Sequence, residues 1–185
     1  GPLADEEIAQ QLISILIGGT ESLPKVVAGG LRELWRRPDQ RAAVAADPAA
    51  NVPRAFEEMV RMFGPAQWFG RTLKADAVIA GTPMRAGERV LLLTASANAD
   101  EREFDDPETF RWDREMRRVV AFGMGPHFCI GVHVARLEGR LIVEEVLRRI
   151  PHYEIDEAAG ERATSEFQIG WVRLPIIANP HGVRA

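Results

Sequence analysis

Phe122-Gly123-Met124-Gly125-Pro126-His127-Phe128-Cys129-Ile130-Gly131 contains the only cysteine of this 185-residue chain. Gly123, Gly125, Gly131 and Pro126 crowd around its sulfur. Glycine has no side chain to obstruct, so such a loop can hold its backbone stiffly and let a large group come close. The apolar stretch that follows has helical spacing, which sets Cys129 just ahead of a helix N-terminus. Unpaired amide N–H groups and the helix dipole favour negative charge on sulfur there. An anionic sulfur in a rigid loop is a metal ligand or a nucleophile.

Several chemistries compete for a lone cysteine. It can be a small buried hydrophobe. A nucleophile needs a base, and although His127 and His133 lie close in sequence, no acid-base pattern of a thiol hydrolase surrounds them. Zinc takes about four ligands, and one cysteine with four scattered histidines gives no ligand spacing. The axial position of haem iron needs only one thiolate, because the macrocycle fills the equatorial positions.

The pattern Phe-Gly-x-Gly-x-His-x-Cys-x-Gly resembles the haem-binding signature of the bacterial cytochromes P-450, with Phe122, Gly123, Gly125, His127, Cys129 and Gly131 all in place. Ala135-Arg136-Leu137-Glu138 continues it. The resemblance implies haem b (iron protoporphyrin IX) as cofactor, with Cys129 as axial ligand. It covers the whole chain but only the C-terminal half of the family. The implied fold is mainly α with small β-sheets: long central helix, Glu-x-x-Arg helix, meander, cysteine loop, following helix and terminal hairpin.

Composition agrees with one domain's worth of chain. Hydrophobic residues make up 46%, net charge is −4 and pI is near 5.7. Neither nucleic acid nor an anionic membrane is indicated as the main partner. One cysteine allows no internal disulfide and suits a reducing cytoplasm. No signal peptide is evident, and the apolar run from Ile8 to Gly19 is too short to span a bilayer. Gly1-Pro2 reads equally as native sequence or as a cleavage remnant.

Residues 4–36 read as one helix, about 50 Å long at 1.5 Å per residue. Asp5, Glu6 and Glu7 open it, and Ile8, Leu12, Ile13, Ile15, Leu16 and Ile17 cover so much of its circumference that burial on most sides is expected. Pro24 and the pair Gly18-Gly19 predict a local distortion at residues 18–20. By resemblance, Gly18-Gly19-Thr20-Glu21-Ser22 is the segment of the central helix that crosses the haem face. There Gly19 lies against the cofactor, and Glu21 and Ser22 occupy the acid and alcohol positions that relay protons during oxygen activation. Serine replaces the usual threonine and loses the methyl that restricts its rotamer, which implies leakier oxygen activation. Without the resemblance, the glycines are a packing notch and Glu21 a solvated charge.

A short helix is expected from Pro38 to Ala46 and another over residues 52–62. The second places Glu58 and Arg61 on one face at i, i+3. Such a pair is commonly a weak surface contact; the resemblance makes it the Glu-x-x-Arg pair beneath the cysteine loop. The family often adds an arginine where this chain has Thr109, so Arg111 or Arg114 is left to complete the network.

Trp68 to Leu73, residues 77–80 and residues 90–93 read as strands. Residues 98–107 resemble the P-450 meander, 122–131 the haem loop and 131–150 the helix after it, with 151–185 a terminal β-hairpin region. The resemblance puts Trp68, Phe69, Phe167 and Gln168 at the substrate pocket, and Arg71 and His127 on the haem propionates, which need paired donors. Phe167 and Trp171 are otherwise ordinary core aromatics. Arg111, Arg114, Arg117, Arg118, Arg136, Arg140, Arg148 and Arg149 flank the cysteine in sequence; as one patch they would steer an acidic ferredoxin-type electron donor.

Two functions follow as expectations. One is a haem-thiolate monooxygenase, or its C-terminal fragment, that inserts one atom of O2 into a hydrophobic small molecule using NAD(P)H electrons through redox partners. The other is a truncated haem-binding or interaction module without turnover. In either case a half-covered apolar helix calls for the missing N-terminal half, a second chain or self-association.

Overall fold

The computed structural model describes residues 2–178. Helix α1 (Asp5–Arg36) begins with three acids, and Glu7 Oε2 accepts the Ala4 amide at 2.8 Å. It ends at Arg37, whose amide bonds Glu33 O at 3.1 Å, because the following proline disfavours further helix. The distortion expected at residues 18–20 is absent: α1 is α-helical throughout. Pro24 removes one rung from a 32-residue ladder, and the turns on either side carry the axis past it.

Helix α2 (Pro38–Ala46) starts at a proline in its first turn. Helix α3 (Pro48–Phe63) starts four residues before the expected Val52. Asp47 caps it, with Oδ1 3.2 Å from Ala50 N, and Pro48 is its first-turn proline, which leaves Pro53 inside the helix.

Strands β1 (Phe69–Thr72), β2 (Ala77–Ile79), β3 (Thr82–Met84) and β4 (Arg89–Leu92) make two antiparallel pairs, β1 with β4 and β2 with β3. Strand β3 was not foreseen. It closes a tight hairpin through Ala80 and Gly81, both at positive φ (48° and 82°). A short helix α4 (Thr94–Ala97) leads into an irregular segment, and a 3-10 turn at Gly125–His127 precedes helix α5 (Val132–Arg149). In place of one terminal hairpin there are two nested pairs. Strand β5 (Glu154–Ile155) pairs with β8 (Ile176–Ile177), and β6 (Glu161–Arg162) pairs with β7 (Trp171–Arg173). Residues 179–185 of the expected terminal region lie outside the described residues.

The core sits between the second half of α1, α3 and α5. Val26, Val27, Leu31 and Leu34 meet Val52, Phe56, Met59, Val60, Val143 and Leu147. Two glycines permit this closeness: a Cβ at Gly30 would overlap Met59, and one at Gly139 would overlap the Phe56 ring. Tyr153 closes one end, its hydroxyl donating to Leu31 O at 2.7 Å. Burial pushes that hydroxyl well above the usual tyrosine range.

The first half of α1 corrects the expectation of burial on most sides. Residues 2–21 are all exposed, with Leu12 at 61% and Leu16 at 65%. The tertiary partners of α1 (α2, α3, α5, β5 and β7) pack its C-terminal portion, where its buried residues lie. By length and composition alone α1 could cross a membrane, but its second half is core helix here.

Candidate functional site

The cysteine loop is pinned from both sides. Cys129 N donates to Phe122 O at 2.9 Å, Phe128 N to Gly125 O at 3.0 Å, and Gly123 N to Val120 O at 2.9 Å. Gly123 (φ 73°) and Gly125 (φ 65°) occupy the left-handed region, which residues with a Cβ rarely adopt. The loop then delivers Ala135 N to Gly131 O at 2.8 Å, the start of the α5 ladder. Cys129 is half-buried, while Phe128 and His127 are exposed and Ile130 is 91% exposed. Phe122 is half-buried under the Arg136 guanidinium, 5.2 Å from its ring centre.

What fixes this loop lies deeper, on α3. Glu58 is fully buried and receives Arg61 through two bonds, Nε to Oε2 at 2.7 Å and Nη2 to Oε1 at 2.9 Å. Arg114 is the third member, its Nε 3.0 and 3.1 Å from the two Glu58 oxygens. Arg111 contributes only its backbone amide, at 3.0 Å. The question left by Thr109 is thereby answered: Thr109 offers its carbonyl to Arg114 Nη2 at 2.8 Å, and the guanidinium comes from five residues further on. Arg61 also donates to Asn98 O at 2.7 Å and Pro107 O at 2.9 Å, and Arg114 to Asp105 O at 2.6 Å. Two buried arginines thus supply hydrogen bonds to a segment that has no ladder of its own. Asn98, unmarked in the sequence, continues the chain of contacts: its Oδ1 accepts Val120 N at 2.9 Å, two residues before the loop.

The residues expected at the pocket come together where the segment between β6 and β7 meets residues 66–69. Gln67 N donates to Phe167 O at 2.9 Å, and Ala66 bridges Gln168. Phe167 meets Trp68 edge-on at 5.4 Å and Phe69 at 6.1 Å. Trp68 Nε1 and Gln67 Nε2 both donate to Glu166 O at 3.1 Å. The role of Gln67 as a latch carried no sequence signal.

Other candidates stand apart. Gly18 and Gly19 have open space where a Cβ would sit. Glu21 is half-exposed and paired with Lys25 Nζ at 2.7 Å; Ser22 is half-buried. No hydrogen bond among the described residues joins Glu21 or Ser22 to Cys129. Arg71 is exposed and donates only to the neighbouring Gly70 O, at 2.7 Å. His127 makes no side-chain hydrogen bond or ion pair among the described residues.

The single basic patch breaks up. Arg114 is buried on Glu58, Arg136 holds Glu57 at 2.6 Å, and Arg148 and Arg149 both hold Glu145. These pairings leave Arg111, Arg117, Arg118 and Arg140 without ion pairs among the described residues. No group of three or more His, Cys, Asp or Glu side chains able to hold a metal ion is found among the described residues. A cofactor that brings its own equatorial ligands would need only the one thiolate from the protein. The half-buried Cys129 and the exposed Phe128 and Ile130 beside it leave the loop open to a large apolar group.

Residues 1–175 match the protein-family model described as Cytochrome P450. A steroid C26-monooxygenase of Mycolicibacterium smegmatis is 43% identical over 179 residues, covering 96% of this chain and 44% of its own length. A steroid C26-monooxygenase of Mycobacterium tuberculosis is 38% identical over 180 residues, covering 96% and 48%. Substrate-free CYP109E1 from Bacillus megaterium superposes with a TM-score of 0.90 at 31% identity, covering 98% of this chain and 47% of that one. The chain spans less than half the length of these relatives.

Proposed function

The chain belongs to the cytochrome P450 family, and from that premise we propose that it forms the C-terminal, cysteine-bearing part of a haem-thiolate monooxygenase acting on a hydrophobic small molecule. When bound, haem b supplies the iron chemistry that activates dioxygen, with NAD(P)H electrons arriving through a ferredoxin-type donor. The observation that carries the reading is the half-buried Cys129, presented by a loop that left-handed glycines and the Glu58–Arg61–Arg114 network hold in place.

Each residue has a role within it. Cys129 Sγ would ligate the iron. Arg71 and His127, neither tied to a carboxylate among the described residues, would donate to the propionates. Gly19, Gly123 and Gly131 would leave room for the ring, and Phe122 would pack beside it. The Glu21 carboxylate and the Ser22 hydroxyl hold and pass protons. Lys25 fixes the Glu21 carboxylate at 2.7 Å. Trp68, Phe69, Phe167 and Gln168 shape the substrate wall, where the edge-on aromatic contacts favour a rigid apolar ligand. The names of the steroid-hydroxylating relatives support a steroid or similar lipid, terpenoid or polyketide. A reducing, cytoplasmic setting would keep Cys129 free for iron.

A second reading, a haem-binding or interaction module without turnover, is favoured by one observation: the apolar first half of α1 has no cover among the described residues. Its cover would be the remaining half of the family domain, a second chain or self-association. The test is the absorption spectrum of the haem-reconstituted, reduced, carbon-monoxide-bound protein. A strongly red-shifted Soret band that Cys129→Ser abolishes is expected; a band unchanged by that substitution defeats both readings of Cys129. NADPH consumption matched by hydroxylated product, with a surrogate ferredoxin system, then separates monooxygenase from binder.

A further inference from the structure

Arg140 lies one turn beyond Arg136 on α5, and its Nε is the only buried side-chain nitrogen or oxygen among the described residues without a hydrogen-bond partner. Its neighbours are already engaged. Arg136 is bidentate on Glu57, at 2.6 and 3.0 Å. Arg114 is consumed by Glu58 and backbone carbonyls. Arg54 gives one N–H to Asp113 O at 2.7 Å and stacks over Trp112 at 5.5 Å. Arg140 borders a cavity of about 430 Å³, wide open to solvent, between α3, the segment around Glu115 and α5. Arg54, Arg114, Arg136 and Arg140 line it against only Glu57 and Glu115, and Glu57 is committed to Arg136.

We propose that this cavity binds a small oxyanion of the phosphate or polycarboxylate class, with Arg140 as its principal donor. A buried guanidinium N–H without a partner costs free energy, and the rest of the same guanidinium group has no ion pair among the described residues. Water can fill the hydrogen bond but not balance the charge, whereas an oxyanion does both through charge-assisted bonds. With Arg114 paired to Glu58 and Arg136 to Glu57, Arg54 and Arg140 face only Glu115, and the remaining positive charge favours an anion over a neutral ligand. Glu115 is exposed and forms no ion pair among the described residues. Its carboxylate at the rim opposes the same ligand. The site uses neither Cys129 nor any residue assigned to haem, so it stands independently of the monooxygenase reading.

Isothermal titration of the full chain with inorganic phosphate and, separately, citrate tests it, with ionic strength held constant by chloride. Saturable binding of one anion per chain is expected, and the stronger arm distinguishes phosphate from carboxylate ligands. Arg140→Met should weaken it by ~10-fold or more through loss of the charge-assisted donor, and Glu115→Gln should strengthen it by ~2-fold or more through loss of like charge. Should Arg140→Met unfold, Arg140→Lys and Glu115→Gln carry the test, since the first removes the planar donor pair and the second removes only repulsion. No saturable heat with either anion, or affinities unchanged in these variants, overturns the proposal.

Discussion

The two halves of α1 share a helix and an apolar composition but not an environment. Val26, Val27, Leu31 and Leu34 are almost wholly buried against α3 and α5, whereas Leu12, Ile13, Ile15 and Leu16 are each more than half exposed. Burying one such side chain fully contributes about 1.5–3 kcal/mol, so the second half anchors the fold and the first contributes little to the chain's own stability. The difference teaches that apolarity around a whole helix marks a surface meant to be covered but does not say what covers it. The cysteine loop borders both worlds: the segment leading into it is tied to the closed side through Asn98 and Glu58, which accept Val120 N and Arg111 N, while Ile130 and Phe128 are exposed.

The strongest way to break the comparison is to open the closed side. Glu58→Ala strands Arg61 and Arg114 without a counter-ion in a buried site, and should cost about 3–5 kcal/mol in urea unfolding. A cost below about 1 kcal/mol, in the range of a surface pair, would mean that the network is solvated. The comparison itself is sharpened by a matched pair. Leu34→Ala should lose about 2–5 kcal/mol, whereas Leu16→Ala should change stability by no more than about 0.5 kcal/mol. Equal losses would show that the first half of α1 is covered in solution, and sedimentation would then reveal an associated species.

The smallest effect concerns surface charge, which belongs to neither half. Hydrogen bonds from Arg148, and then from Arg149, hold the Glu145 carboxyl down at about 2, against an ordinary 4.5. Because the folded value is depressed, its stabilising contribution is present above pH 4.5 and is lost as pH falls toward 2. A side-chain carboxyl titration followed by NMR should place its midpoint near 2 in the folded protein. The slight stability difference between the native chain and Glu145→Gln should vanish at that pH.

Much of the framework was legible in the residues, and the gaps have physical causes. The apolar spacing and Pro38 bracket α1 to within a residue of Asp5–Arg36. The start of α3 was missed because two prolines, Pro48 and Pro53, compete for the first turn, and only the cap from Asp47 decides between them. Strand β3 was missed because Pro83 sits inside it, and proline lowers the expectation of a strand except at an edge. Arg111 and Arg114 could not be separated, because a segment without periodicity gives no facing rule. The supposed basic patch failed for a related reason: the partners of Arg114 and Arg136 lie more than fifty residues away in sequence, on α3.

By itself, the sequence determined the local chemistry: one sulfur set among glycines ahead of a helix, a carboxylate and a guanidinium one helical turn apart, and a helix too apolar to stand alone. Those properties depend on neighbours within a few residues, where backbone geometry and side-chain type suffice. Tertiary structure decided which arginine joins Glu58, which half of α1 is buried, and that Arg140 borders a cavity with no partner among the described residues. Each of these is a matter of distance between remote segments, and only the packed chain sets such distances.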